Sequence, residues 1–159
     1  MLNEKHRMLK NELDNILKVN NYECKRIGRQ RIHLAIVVPK IMKKLKSREK
    51  LIESRFLKTK QAPFAWIEPG DVILFKASGG KIEMLATVHD TYMYDNLYPE
   101  RINYLKNKYN DEICADDDFW EKKKDSKYAA LIWLRDYKDI EPCEIKHKKG
   151  QMPWMCFDD

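Results

Sequence analysis

Leu9, Leu13, Ile16 and Leu17 recur at intervals of three and four among charged residues, which predicts an amphipathic helix over residues 3–19, ended by Asn20-Asn21. A helix of this kind stays folded by burying its apolar stripe, so the stripe reads as a packing face. The pattern then changes period. His33-Leu34-Ala35-Ile36-Val37-Val38 is a continuous apolar run of strand length, and Pro39 suits the first turn of a short basic helix through Lys46. Residues 50–56 form a second strand candidate, and residues 59–68, with Pro63 and Trp66, form a loop. Residues 71–77 and 81–94 are strands joined across Ser78-Gly79-Gly80, a hairpin signal.

Residues 98–109 have helical character. Asp116-Asp117-Asp118 ahead of Phe119-Trp120-Glu121-Lys122-Lys123-Lys124 predicts another helix, with acids at its positive end and lysines at its negative end. The three aspartates read as caps, since neither the glycine nor the distal glutamate of an EF-hand loop stands at the needed spacing. Tyr128 to Leu134 is the most apolar strand, Ile140 to Ile145 a turn and short strand, and Pro153 to Phe157 a last edge strand. Short strands joined by turns and decorated with helices indicate an α+β chain built on a mixed sheet or small barrel.

At 159 residues the chain fits one domain, here residues 31–159, with residues 1–30 as a helical extension. Cys24, Cys114, Cys143 and Cys156 are widely spaced with no C-x-x-C pair, so reduced thiols are expected and a zinc site is not. No cofactor motif occurs. The first residues lack the apolar core of a secretory leader, and no window approaches a membrane span, which together point to the cytoplasm. Charge is uneven: residues 1–60 carry 17 Lys and Arg against 6 Asp and Glu, net +11, and the other 99 carry 14 against 19, net −5. Folded onto one side, the first third would present a basic face to a polyanion such as RNA; spread out, the same lysines only solvate helices.

Lys50, Glu53 and Arg55 are the densest chemistry on the chain. Two residues apart on a strand, Glu53 and Arg55 share a face, with Ile52, Ser54 and Phe56 on the other. Side by side they form either a structural ion pair or an acceptor and donor fork that reads a polar edge. This run resembles the ASCH family of the PUA-like superfamily, whose motif has the form Gly-x-Lys-x-x-Glu-x-Arg followed by a Gly-Asp pair opening the next strand. Lys50, Glu53 and Arg55 match its polar positions and Gly70-Asp71 its second element, while Arg48 replaces the glycine. The run Tyr128 to Leu134 and Trp154 are similar to the closing strands of such domains, so the resemblance spans residues 32–157.

The resemblance implies a PUA-like mixed β-barrel decorated with helices, with a cleft beside the Lys-x-x-Glu-x-Arg strand that recognises RNA, a nucleotide or a modified base. Lys50, Glu53 and Arg55 would then contact the ligand. Trp66 and Trp120 are the rings expected to be partly exposed for stacking, and Trp133 is expected in the core. Lys40, Lys43, Lys44, Lys46 and Arg48 form a strip that could grip a phosphate backbone.

Some ASCH relatives are amidohydrolases of acylated cytidine that use a threonine nucleophile, and that threonine falls where this chain has Glu53. The nucleophile is thus missing and that activity is not carried over; the alternative reading is a small hydrolase acting on a modified nucleoside or on RNA, with Lys50 and Ser54 or Tyr128 as acid–base groups. A second alternative is a protein-interaction module docking through the N-terminal helix. Oligomeric state is open.

Overall fold

Strand parity divides the molecule into an inside and an outside. The computed structural model describes residues 3–23, 30–148, 150 and 152–158, and its elements are α1 (Glu4–Val19), β1 (Ile32–Val37), α2 (Pro39–Lys46), β2 (Ile52–Leu57), β3 (Val72–Ala77), β4 (Ile82–Tyr94), α3 (Pro99–Ile113), α4 (Asp117–Lys123), β5 (Tyr128–Cys143) and β6 (Trp154–Phe157). Six strands make one mixed sheet in the order β2-β5-β4-β3-β1-β6, antiparallel throughout except for the parallel pair β1 and β3.

The concave side holds Ala35 and Val37 of β1, Ile73, Phe75 and Ala77 of β3, Met84, Ala86 and Val88 of β4, and Ala130, Ile132 and Leu134 of β5, with Met42 and Leu45 of α2 packed among them. On the convex side Ile32, Leu34, Val72, Leu74 and Phe157 meet Leu9, Leu13, Ile16 and Leu17 of α1. The amphipathic stripe of residues 3–19 is thus a packing face against the sheet. Asn3 caps α1, its side chain accepting the His6 N–H at 2.8 Å. A third cluster joins Ile52, Phe56, Ala129 and Leu131 to Ile102, Leu105 and Ile113 of α3 and Trp120 of α4.

The sheet curls far enough to bring its two ends together without closing. Arg55 on the edge strand β2 donates to the Ile36 carbonyl on β1, although β5, β4 and β3 lie between them in the sheet. Register shifts between Ile82 and Met84, Leu85 and Thr87, and Val88 and Asp90 bend the β4–β5 pair. They also let β5 run unbroken from Tyr128 to Cys143, where the sequence indicates a strand, a turn and a further short strand. Asp116 caps α4 by accepting the Phe119 N–H at 2.8 Å, the capping role read from the sequence. Among the described residues Cys114 and Cys143 are free thiols; Cys24 lies outside them. No described helix is long and apolar enough to cross a membrane.

Candidate functional site

On β2, Glu53 and Arg55 face the concave side while Ile52 and Phe56 pack outward, as the two-residue strand period requires. Arg55 Nε donates to Glu53 Oε1 at 3.1 Å, Nη2 to the Ile36 carbonyl at 3.1 Å and Nη1 to the Pro153 carbonyl at 3.5 Å. Its guanidinium carbon also sits 4.9 Å from the Trp154 ring centre. Arg55 therefore spends most of its donor fork on the protein, joining β2 to β1 and to the entry of β6.

Lys50 is buried just ahead of β2. Its ammonium donates to the Ile113 carbonyl at 2.7 Å, one of the orphan carbonyls at the C-terminus of α3, where the helix dipole favours a cation. It lies 3.9 Å from Glu53 Oε2. Two further bonds fix its backbone: the Tyr137 hydroxyl donates to the Lys50 carbonyl at 2.6 Å, and Leu51 N–H donates to the Glu112 carbonyl at 2.8 Å. Burial pulls the Lys50 amine below the usual lysine range; Glu53 opposes the shift and the Arg55 charge adds to it.

These residues line a cavity of about 420 Å³ between β2, the start of α2, the turn from α3 to α4, and the segment entering β6. Glu53 is 3% exposed, and its Oε2 is buried with no hydrogen-bond partner among the described residues. One oxygen of the carboxylate is thus held by Arg55, and the other, 3.9 Å from the Lys50 ammonium, has room to accept a hydrogen bond on the cavity wall. The β2 edge adds backbone groups. Leu51 and Leu57 direct their carbonyls to the β5 side, bonding Leu134 and Lys127 N–H, so by alternation the peptide groups of Ser54 and Phe56 turn to the open edge and the cavity.

A chain of bonds behind the cavity sets its far wall. The Trp154 indole N–H donates to His33 Nδ1 at 3.0 Å, and since an indole can only donate, the His33 proton sits on Nε2 and is donated to Asp71 Oδ2 at 2.9 Å. Asp71 also accepts the N–H groups of Glu68 and Arg31. Gly70 places it there: at φ 93° it occupies a region that residues with a Cβ avoid, its N–H donating to Val88 and its carbonyl accepting from Gln30. The Gly-Asp pair of the sequence motif is therefore a structural device that orients Trp154 under Arg55.

No family model and no curated protein matches the chain by sequence. Among solved structures it is similar to ASCH from Zymomonas mobilis, at 16% identity over 78% of this chain and 85% of that one, with a TM-score of 0.61. A serine-to-alanine variant of that protein aligns at 15% identity over 78% and 86%, with a TM-score of 0.62. A tyrosine-to-phenylalanine variant aligns at 18% over 72% and 76%, with a TM-score of 0.57. This chain has the ASCH fold.

Within that ASCH fold the glycine position of the motif is informative. Arg48 takes the left-handed conformation itself, at φ 65°. Its side chain bonds the Lys46 carbonyl at 3.2 Å and Asp139 at 3.2 Å, and lies 5.3 Å from the Tyr137 ring centre. The turn that a glycine would make without strain is here held by side-chain contacts.

The other sequence candidates are dispersed. Trp120 is not an exposed ring: it is 5% exposed, donates to Asn110 at 2.9 Å and packs edge-on against Phe56 and Phe119. Trp66 is 48% exposed but lines a neighbouring hollow. Trp133 is half-buried on the convex side, edge-on to Tyr109. Ser54 lines the cavity, whereas Tyr128 pairs with Leu57 at the end of the β2–β5 ladder remote from Lys50 and stacks edge-on with Phe64.

The basic strip of α2 and the turn after it is largely neutralised by acids, one of them local and three distant in sequence. Lys40 pairs with Asp116, Lys44 with Glu49, Lys46 with Glu83 and Arg48 with Asp139, leaving Lys43 without an ion pair to a described residue. The cavity is lined by Lys40 of that strip, by Lys50 and Arg55, and also by Lys123, which the sequence reading did not single out. Burial, then the nearby charges of Arg55, Lys122 and Lys58, hold the Lys123 amine below the usual lysine range. Its signal was positional: it follows Phe119 and Trp120 by four and three residues, on the packed side of α4. Ile113 and Tyr137 left no signal, since both reach Lys50 from more than 60 residues away.

Proposed function

We propose that this ASCH-fold chain is an RNA-binding module that receives one nucleobase in the cavity beside β2. The observation that carries the reading is Glu53 Oε2, a buried carboxylate oxygen that has the Lys50 ammonium at 3.9 Å but accepts no hydrogen bond from a described residue, on the wall of a cavity of ligand size. A buried acceptor left unmade is costly, and a ligand N–H would recover that cost. The ligand is therefore one that offers a donor, as the amino or imino groups of a nucleobase edge do.

The remaining groups fit such a base. The Arg55 plane, backed by Trp154, is a surface on which a base can stack, and the open-edge peptides of Ser54 and Phe56 supply a donor and an acceptor for its polar edge. Lys123, crowded by other cations, and the exposed Lys58 would gain by meeting a phosphate. Lys50 acts as a holding group, bonded to Ile113 beside Glu53, and its distance along the ladder from Tyr128 gives no support to an acid–base pair of those two.

Equilibrium binding of short single-stranded RNA to wild type and Glu53→Gln, at two salt concentrations, tests the reading. The glutamine keeps an acceptor for Arg55 and puts an amide donor where Oε2 stands. Affinity should fall with salt in wild type and drop by about tenfold or more in the variant, the scale of one hydrogen bond to a charged group. No binding at low salt, a salt-independent affinity, or an indifferent variant would overturn it.

A further inference from the structure

The cavity does not end at Trp154. Ala62, Met152 and Trp154 line it on one side and on the other line a second hollow of about 560 Å³, bounded also by Lys5, His6 and Trp66. The partition between the two is one layer of side chains. Trp66 is the largest exposed ring at this end of the molecule, and its backbone is firmly placed: the peptide N–H donates to the Pro63 carbonyl at 2.9 Å and the peptide carbonyl accepts from Arg31 Nη1 at 2.6 Å. The Arg31 guanidinium lies 5.8 Å from its ring centre and is anchored in turn by Asp158 at 2.8 Å and Glu68 at 3.8 Å.

A half-exposed indole on a fixed backbone, outside the core, is a stacking platform for a flat partner. The acids in this region, Asp158 and Glu68, are engaged with Arg31, whereas Lys5 makes no ion pair to a described residue. The surroundings therefore tolerate a phosphate. We infer that the second hollow holds the nucleotide adjacent to the one in the cavity, its base stacked on Trp66, so that the ligand is a single strand of at least two nucleotides. This deepens the function proposed above and rests on it.

Calorimetric titration of the full chain with nucleoside 5′-monophosphates, dinucleotides and tetranucleotides, for wild type, Trp66→Ala and Trp66→Phe, tests the inference. In wild type the dinucleotide should bind about tenfold more tightly than the monophosphate, the scale of one base stacked on a ring. The ratio should collapse towards one in Trp66→Ala and recover in part in Trp66→Phe, with thermal unfolding of the exposed-ring variants close to wild type. RNA bound with an affinity indifferent to length, or a ratio unchanged in Trp66→Ala, overturns this inference alone. Failure of every RNA to bind overturns the parent reading with it.

Discussion

The indole N–H of Trp154 and Nδ1 of His33 are 3.0 Å apart, both buried, on neighbouring strands β6 and β1. The bond fixes the histidine tautomer and, through it, the Asp71 contact. His33→Ala removes the acceptor of a buried N–H and one donor to Asp71, so a loss of about 2–5 kcal/mol in urea unfolding is expected. A loss under about 1 kcal/mol would show that the chain from Asp71 to Trp154 is incidental to stability.

Arg48→Gly relieves a left-handed residue and forfeits the bonds to Lys46 and Asp139. Those effects oppose each other, at about 1 kcal/mol for the backbone and under about 1 kcal/mol for an exposed ion pair. Arg48→Ala forfeits the contacts without the relief, so it should be less stable than Arg48→Gly by about 1 kcal/mol in paired denaturant curves. Equal stabilities would argue against the left-handed turn.

Burial raises the Tyr137 phenol to about 12, against the opposing charge of Arg48. Ultraviolet difference titration should therefore show one tyrosine that ionises late and is missing from the profile of Tyr137→Phe. The unfolded chain releases this proton near 10, so Tyr137 costs stability as pH rises above 10, and the gap between wild type and Tyr137→Phe should narrow there. At neutral pH the variant loses its bond to the Lys50 carbonyl, about 1 kcal/mol.

Lys50 has the opposite pH signature. Its folded value lies below that of the unfolded chain, so between the two the unfolded state binds more protons and stability rises with pH. Compared with Lys50→Met, wild type should gain ground as pH climbs towards the ordinary lysine value, in chemical unfolding followed at several pH values. A flat difference would place the ammonium in a more aqueous setting than its burial implies.

Leu13 is fully buried between α1 and the convex face. Leu13→Ala should cost about 2–5 kcal/mol in thermal or denaturant unfolding, the range for a truncated core leucine. A cost under about 0.5 kcal/mol would mean that α1 detaches from the sheet.

Local periodicity made the elements legible: the α1 stripe, the β3–β4 hairpin and the facing of Glu53 and Arg55 all depend on residues a few positions apart. What failed to show was long-range. The bulges that keep β5 continuous arise from its partner β4, and the acids that neutralise α2 come from positions 83, 116 and 139 as well as from nearby Glu49. Trp120 misled because charged neighbours surround it in sequence, while one helical face is enough to bury a ring against Phe56. The motif named the cavity residues but could not tell that Arg55 is committed to protein acceptors while one oxygen of Glu53 accepts no hydrogen bond from a described residue.

Between the two ends of the sheet, at the cavity, the connection runs through one guanidinium rather than a ladder of peptide bonds. A ladder fixes its spacing at under 5 Å and cannot be eased apart locally. A side chain can lengthen, pivot or be exchanged, so the aperture of this fold can be regauged for a larger or smaller guest by altering residue 55, with every strand left in register.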